Sequence, residues 1–388
     1  MPASRSCHNS VVASTRGPRA GSVSVLLPVV CALLAAGCSG APARPSDGPC
    51  PPVESDVGTV DGWLGYVATH PEDVALVADD GRGTSLAHRS DAVHPMASAS
   101  KALNMVAYAR AVARGAVSPD EPVRVGDWER WAVPGSGEDA HAKALDHVGI
   151  PRQGFRARDP DQTVTLDQVV AQMMIWSDNA APDFLRDRLG DRALTDAAEA
   201  VGWRDGELPS TTGLTVLFFA PELMPSSTDR AARRAVEWQL ARRYASEPAF
   251  RADVDSRPVP AGVDEPAFVD GGPGGTAGQL AALWSAVGHG TFEGADIARR
   301  LTEQDPDPGP GLIGVGVKGG STPGVLARGT EVRRDDGTVG VAVLLVRRMS
   351  PEDTAAVARS SQAFGDVVQA MAQDPALLEQ LRCRLPQT

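Results

Sequence analysis

Segments with strand character lie near both ends of this chain, and the sequence between them is mostly helical; no single motif restricts the fold as much. Asp73 to Ala78 and Thr84 to His88 read as a hairpin around the turn Asp79-Asp80-Gly81. Far along the chain, Leu312 to Val317, Leu326 to Arg333 and Val339 to Val346 read as three consecutive strands, with Asp335-Asp336-Gly337 turning between the last two. Helical spacing of Val57, Val60, Leu64 and Val67 precedes the first hairpin. Ser350-Pro351-Glu352-Asp353 opens a helix after the last strand, with a cap, a proline at the first position and acids in the first turn. In between, Ser98 to Ala113 has helical period and stops at Gly115, and Thr165-Leu166-Asp167-Gln168 is a capping-box spacing ahead of a helix that runs to Trp176. Residues 226–260 hold an Arg-rich helical stretch, Pro258 to Gly275 is loop-like, and Thr276 to Val287 is helical again. The expected class is α/β in the α+β sense: one antiparallel sheet assembled from the two chain ends, flanked by terminal helices, plus an all-helical lobe.

Charge and the first residues set the compartment. With 49 acidic against 37 basic side chains and a formal charge of −12, the chain has no surplus of positive charge for phosphates, so nucleic acid is not an expected partner. Residues 1–37 contain Arg5, Arg16 and Arg19 and no acid, and the apolar run Val23 to Ala36 is too short to span a bilayer comfortably. This is a secretory signal. Its end, Leu34-Ala35-Ala36-Gly37-Cys38, resembles a bacterial lipobox, which implies cleavage and a lipid on Cys38; an ordinary cleaved signal or an uncleaved anchor are the alternatives. Residues 38–56 are a Pro/Ser/Gly-rich tether, and 57–388 are expected to form one catalytic domain, held by its lipid at the outer face of a bacterial cytoplasmic membrane. A monomer is expected.

Cys50 and Cys383 are the cysteines left after the signal and the lipid site, and in an oxidising compartment they form a disulfide candidate; two unpaired thiols are the alternative. No CxxC or HExxH spacing occurs, so neither a metal nor another cofactor is expected. Scarcity carries more information. The chain has three lysines, Lys101, Lys143 and Lys318, among 37 basic residues, and a site that needs proton transfer cannot exchange lysine for arginine. Ser98-Ala99-Ser100-Lys101 puts a hydroxyl and an amine one helical turn apart, a pattern that chance supplies about 0.2 times. Asparagine occurs only at Asn9, Asn104 and Asn179, so the triplet Ser177-Asp178-Asn179 is expected only about 0.02 times. Lys318-Gly319-Gly320 follows a strand, where glycines allow a ligand close to the backbone.

In this order, the three motifs resemble the S-x-x-K, S-D-N and K-[ST]-G set of class A β-lactamases and penicillin-recognising serine hydrolases, over a span from about Val57 to the C-terminal helix. The resemblance implies Ser98 as the nucleophile, Lys101 in its deprotonation and Ser177 as proton relay to a leaving nitrogen. It implies Asn179 for the substrate's side-chain amide, Lys318 for its carboxylate, and the N–H groups of Ser98 and of Ser321, beyond Gly320, as the oxyanion hole. Taken singly, these residues also fit bland roles: a helix cap, a turn residue, a solvated strand end.

Three departures stand out. Gly319 replaces the usual Ser or Thr; the motif intervals of 79 and 141 residues are long; and the string nearest the family's general-base loop is Ala220-Pro221-Glu222-Leu223-Met224, with alanine at the base position. Glu222 and Glu207 are the candidates to fill that position in space. Trp128 and Trp131 lie where related enzymes line the cleft with an aromatic, although core packing is the commoner role. The expected function is a serine hydrolase with an acyl-Ser98 intermediate, acting on a β-lactam. The alternatives are a peptidase or esterase acting on a cell-wall peptide or small ester, and a binding lipoprotein that captures such molecules with little turnover.

Overall fold

The computed structural model describes residues 50–386 except residues 205, 227–228 and 261–264, and leaves out the side chains of 265–267. The signal and lipid-site readings, Cys38 included, fall outside the described residues. Both ends of the chain build one sheet. Helix α1 (Val60–Thr69) is followed by strands β1 (Val74–Asp79) and β2 (Ser85–His88), and the chain then enters α2 (Lys101–Ala113). The helical lobe continues with α3 (Glu138–His147), α4 (Leu166–Ile175), α5 (Ala181–Leu189), α6 (Asp191–Ala200), α7 (Thr211–Phe219) and α8 (Arg230–Ser246). Helices α9 (Ala277–His289) and α10 (Ala295–Thr302) lead to β3 (Leu312–Thr322), β4 (Val325–Arg334) and β5 (Val339–Val346), and α11 (Pro351–Arg359), α12 (Ser361–Met371) and α13 (Pro375–Arg384) close the chain.

The strand order is β2-β1-β5-β4-β3, antiparallel throughout. Central β5, VGVAVLLV, is buried along its whole length because both faces of the sheet are covered, and its side chains divide by parity. Ala342, Leu344 and Val346 join Trp63, Phe364, Val368 and Leu378 beneath the terminal helices. Val341, Val343 and Leu345 face Leu280, Trp284 and the helical lobe, where the core continues into Met105 and Met173. A smaller cluster of Val216, Leu217, Leu240, Tyr244 and Val254 joins α7 to α8.

Local signals explain most boundaries. Thr165 and Gln168 form a reciprocal capping box at α4, Thr276 and Gln279 form another at α9, and Ser350 caps α11 ahead of Pro351. Two expectations need correction. The segment read as a loop from Pro258 contains a helix, Glu265–Asp270, and Gly274–Gly275 pairs with His94–Pro95. The folded unit also starts before Val57: a Cβ on Gly62 or Gly65 would run into the backbone of Asp56 or Glu54, so residues 53–56 lie against α1 instead of hanging as a tether. Cys50 and Cys383 form a disulfide with their Cα atoms 5.9 Å apart, and Arg384 donates to the Pro51 carbonyl. Among the described residues no helix is long and apolar enough to cross a membrane.

Candidate active site

The His94–Pro95 bridge delivers the chain into a 3-10 turn, Ala97–Ser100, that runs directly into α2. Ser98 therefore sits in a tight turn and Lys101 begins the helix, one turn later. Ala97, just before Ser98, has φ 43°, a left-handed conformation that costs a residue with a side chain. Strand β3 lies hard against this turn: a Cβ on Gly320 would come 2.4 Å from the Ser98 nitrogen and 2.6 Å from that of Ala99. This glycine serves the approach of strand to turn. Gly319 is different, since a Cβ there would meet only the Ala327 carbonyl oxygen at 3.5 Å. A Cβ would fit there in ordinary contact, and this chain leaves that space unfilled.

Lys101 is buried and ties the first motif to the second. Its Nζ donates to the Ser177 carbonyl oxygen at 2.6 Å, to Asn179 Oδ1 at 2.5 Å and to Ser177 Oγ at 3.3 Å. Burial, reinforced by the nearby Lys318 ammonium and opposed by Asp178 and Asp183, holds the Lys101 amine well below the usual lysine range. A buried amine so depressed can accept a proton from a hydroxyl. Ser177 itself has φ 62°, a second strained position after Ala97. Asn179 Nδ2 reaches the carbonyl and hydroxyl oxygens of Ser136 at 3.3 and 3.4 Å, and Gly137 beside it has no space for a Cβ against Asn179.

Asp178 holds this loop in shape. Its carboxylate accepts from Trp128 Nε1 at 2.9 Å, from His141 Nδ1 at 2.5 Å and from the backbone N–H groups of Ala180 and Ala181 at the start of α5. Burial opposes a charge on His141, but Asp178, with Glu129 behind the ring, outweighs it and raises the imidazole to about 9. Trp128 is thus a buried loop anchor, and Trp131 stacks on Trp238 in the core; neither lines the cleft. Nothing in the sequence distinguished His141 from the other scattered histidines, because its role depends on a partner 37 residues away.

Lys318 is buried, donates to the Met174 carbonyl oxygen at 3.2 Å, and is lowered by burial to about 8. Directly across the β3–β4 register from Gly319 is Arg328, whose Nε finds no partner and which lines cavities on both sides of Gly319. Sequence reasoning missed this guanidinium, because only the strand register places it beside the third motif.

Ser98, Lys101, Asn179 and Ser321 line one cleft of about 300 Å³, and Ser98, Ser177, Asn179, Gly320 and Ser321 line an adjoining one of about 780 Å³. Opposite the polar wall stand Leu214, Thr215, Phe218 and Phe219 of α7, with Phe268. No carboxylate lines either cleft among the described residues. Glu222 is exposed and paired with Arg257 at 2.5 Å, which holds its carboxyl below the usual range. Glu207 is bound by Arg230, by Arg234 at 3.5 Å and by the Gly274 N–H at 3.0 Å. Both carboxylates expected near the base position are therefore engaged elsewhere, as anchors of the surrounding loops. No group of three or more His, Cys, Asp or Glu side chains that could hold a metal ion occurs among the described residues.

Comparison with known proteins gives one family match and a likeness of fold. Residues 66–236 match the model of the beta-lactamase enzyme family, a span that includes Ser98, Lys101, Ser177 and Asn179 and ends before Lys318. No curated protein matches the chain. Among solved structures, a beta-lactamase from Sphaerobacter thermophilus is similar with a TM-score of 0.52 and 20% identity, covering 83% of this chain and 98% of that one, a likeness of fold. L2 complexed with relebactam gives a TM-score of 0.49 at 16% identity over 84% and 96% of the two chains, and PBP-A gives 0.44 at 18% over 82% and 99%.

Proposed function

The match over residues 66–236 supports placing this chain among the β-lactamase and penicillin-recognising serine hydrolases, and from that premise we propose that it opens β-lactams by acylating Ser98 and releases the product slowly. The observation that carries the reading is the buried Lys101 amine, held well below the usual lysine range by burial, which lines the same cleft as Ser98 and lies 3.3 Å from the Ser177 hydroxyl. Neutral Lys101 takes the Ser98 Oγ proton as the oxygen attacks the lactam carbonyl carbon. The developing oxyanion is received by the N–H groups of Ser98 and Ser321, which the close approach at Gly320 brings together. When the carbon–nitrogen bond breaks, Ser177 Oγ protonates the leaving nitrogen and is reprotonated by the Lys101 ammonium 3.3 Å away. Asn179 Nδ2 exchanges its long contacts with Ser136 for the acyl amide of the substrate, and Lys318 with Arg328 supplies positive potential for the ring carboxylate.

Slow release follows from the lining of the cleft. Water attacking the acyl-enzyme needs a base, a positioned base is worth about 10²- to 10⁴-fold, and no carboxylate faces the cleft among the described residues. That same observation favours, as a second reading, a β-lactam- or peptide-capturing protein whose adduct is the functional state. Incubation of the purified protein with a chromogenic cephalosporin, followed by colour and by intact mass, separates the two. Turnover with an acyl adduct at steady state, both lost in Ser98→Ala, is the expected result. A stable adduct with a single burst of colour supports capture, and the absence of any adduct with a range of β-lactams overturns both.

A further inference from the structure

We propose that His141 is a positioning residue for the serine–lysine pair, acting through Asp178: its imidazolium is the counter-ion of that carboxylate, which leaves Lys101 without one and free to serve as a base. This rests on the acyl-Ser98 reading and names the residue that keeps its base competent. The chain puts a carboxylate inside the second motif, between the two residues that hold the amine. Lys101 Nζ donates to the Ser177 carbonyl oxygen and to Asn179 Oδ1, and Asp178 lies between them in the chain with no exposed surface. A buried carboxylate beside a buried amine ordinarily takes it as partner and keeps it charged. Asp178 turns the other way. Its oxygens accept from Trp128 Nε1, from the N–H groups of Ala180 and Ala181 and, at 2.5 Å, from His141 Nδ1.

Three elements bring charge to Lys101. Lys318 on β3 disfavours its proton, whereas Asp178 in the motif loop and Asp183 on α5 favour it. Burial raises the Asp183 carboxyl, and its bonds go to the Thr212 N–H and to Ser210 Oγ, so that group is engaged elsewhere. The charged groups facing His141 are Asp178 and Glu129, whose Oε1 lies 3.5 Å from Nε2 and also accepts from the Ala157 N–H. The rings of Trp128 and Phe155 meet the imidazole edge-on. Burial pushes the Asp178 carboxyl up, and His141, ahead of Trp128 and Lys101, more than reverses it. Burial also works against a charge on the ring, yet the two carboxylates keep it protonated to about pH 9. Without the imidazolium, Asp178 acts on the amine uncompensated, and Lys101 keeps its proton to a higher pH.

The pH profile of Ser98 acylation by a penicillin, timed by intact mass between about pH 5 and 8.5, tests this, because the rate rises as Lys101 loses its proton. His141→Gln retains a donor for Asp178 and removes the charge, and the midpoint of the rise is expected to move up by about one to two pH units. In an Asp178→Asn background the same substitution is expected to leave the midpoint where it stands. A purely structural role slows the reaction by one factor at every pH. A midpoint unmoved by His141→Gln, or moved equally in both backgrounds, overturns the proposal. Should His141→Gln fail to fold, Glu129→Gln keeps an acceptor for the Ala157 N–H and removes the competing carboxylate; it is expected to lower the midpoint by about half a unit, and no change or a rise overturns the proposal. If β-lactams leave Ser98 unmodified, an alkyl fluorophosphonate takes their place, Ser98 Oγ bonding to phosphorus as fluoride leaves and its proton passes to Lys101. The same shifts with that reagent uphold His141 while the β-lactam reading fails, and no labelling by either reagent overturns both.

Discussion

The two walls of the cleft are built on opposite principles. Around Lys101, position is set by contacts that leave no slack: three short polar contacts to one lysine nitrogen, a glycine with strand backbone pressed on the nucleophile's turn, and left-handed backbone at Ala97 and Ser177. Across the gap, α7 offers the rings of Phe218 and Phe219 and the side chain of Leu214, and no carboxylate. On the proposed reading the polar wall carries the bond exchange, while the apolar wall brings no ionisable group to it among the described residues.

Replacing the amine breaks the first wall most severely. Lys101→Arg puts there a guanidinium that stays protonated and cannot act as a base, so adduct formation, timed by intact mass, is expected to slow by about 10²- to 10⁴-fold. A rate within tenfold of wild type would remove Lys101 as the base. Next in size is an attempt to give the second wall what it lacks. Thr215→Glu puts a carboxyl at the junction with Ser136, and the Ser98 adduct is expected to decay about 10- to 100-fold faster in a chase experiment. An unchanged lifetime would place the barrier to hydrolysis elsewhere than in a missing base.

The smallest effect sharpens the account of how the polar wall is held. His141 is raised from the ordinary histidine range to about 9, so its contribution to stability is complete below the unfolded value near 6.5 and disappears as the pH rises through about 9. His141→Gln should lower the melting temperature by about 2–5 °C near pH 6 and by progressively less above pH 9. A difference independent of pH would mean that packing, and not the charge on Asp178, is what the imidazole provides.

Much of the polar wall was legible because the chain spends lysine and asparagine so rarely: Lys101 and Asn179 stand out against 37 basic residues and three asparagines, and Lys318, equally conspicuous, lines a neighbouring cavity instead. The sheet was equally plain, since Val339 to Val346 has no polar position to place elsewhere. What sequence could not show was pairing across distance. Asp178 and His141 are ordinary residues until the lobe folds, and Arg328 gains meaning only opposite Gly319. The string Ala220-Pro221-Glu222 suggested a base loop, yet Glu222 turns outward to Arg257, and the neighbouring Phe218 and Phe219 are the side chains that reach the cleft. A short apolar run looks the same whether it fills a core or lines a binding surface.

The sulfur link from Cys50 to Cys383 closes a covalent ring around nearly the whole folded unit, 333 positions in circumference. A tug applied ahead of Cys50 is shared at once with α13, so the first structure to feel the load is the last one in the chain, and α1 is shielded from being peeled off its sheet. Reduction would redirect that force onto residues 53–56 and the helix they lie against, and the fold would lose the clasp that holds its two ends together.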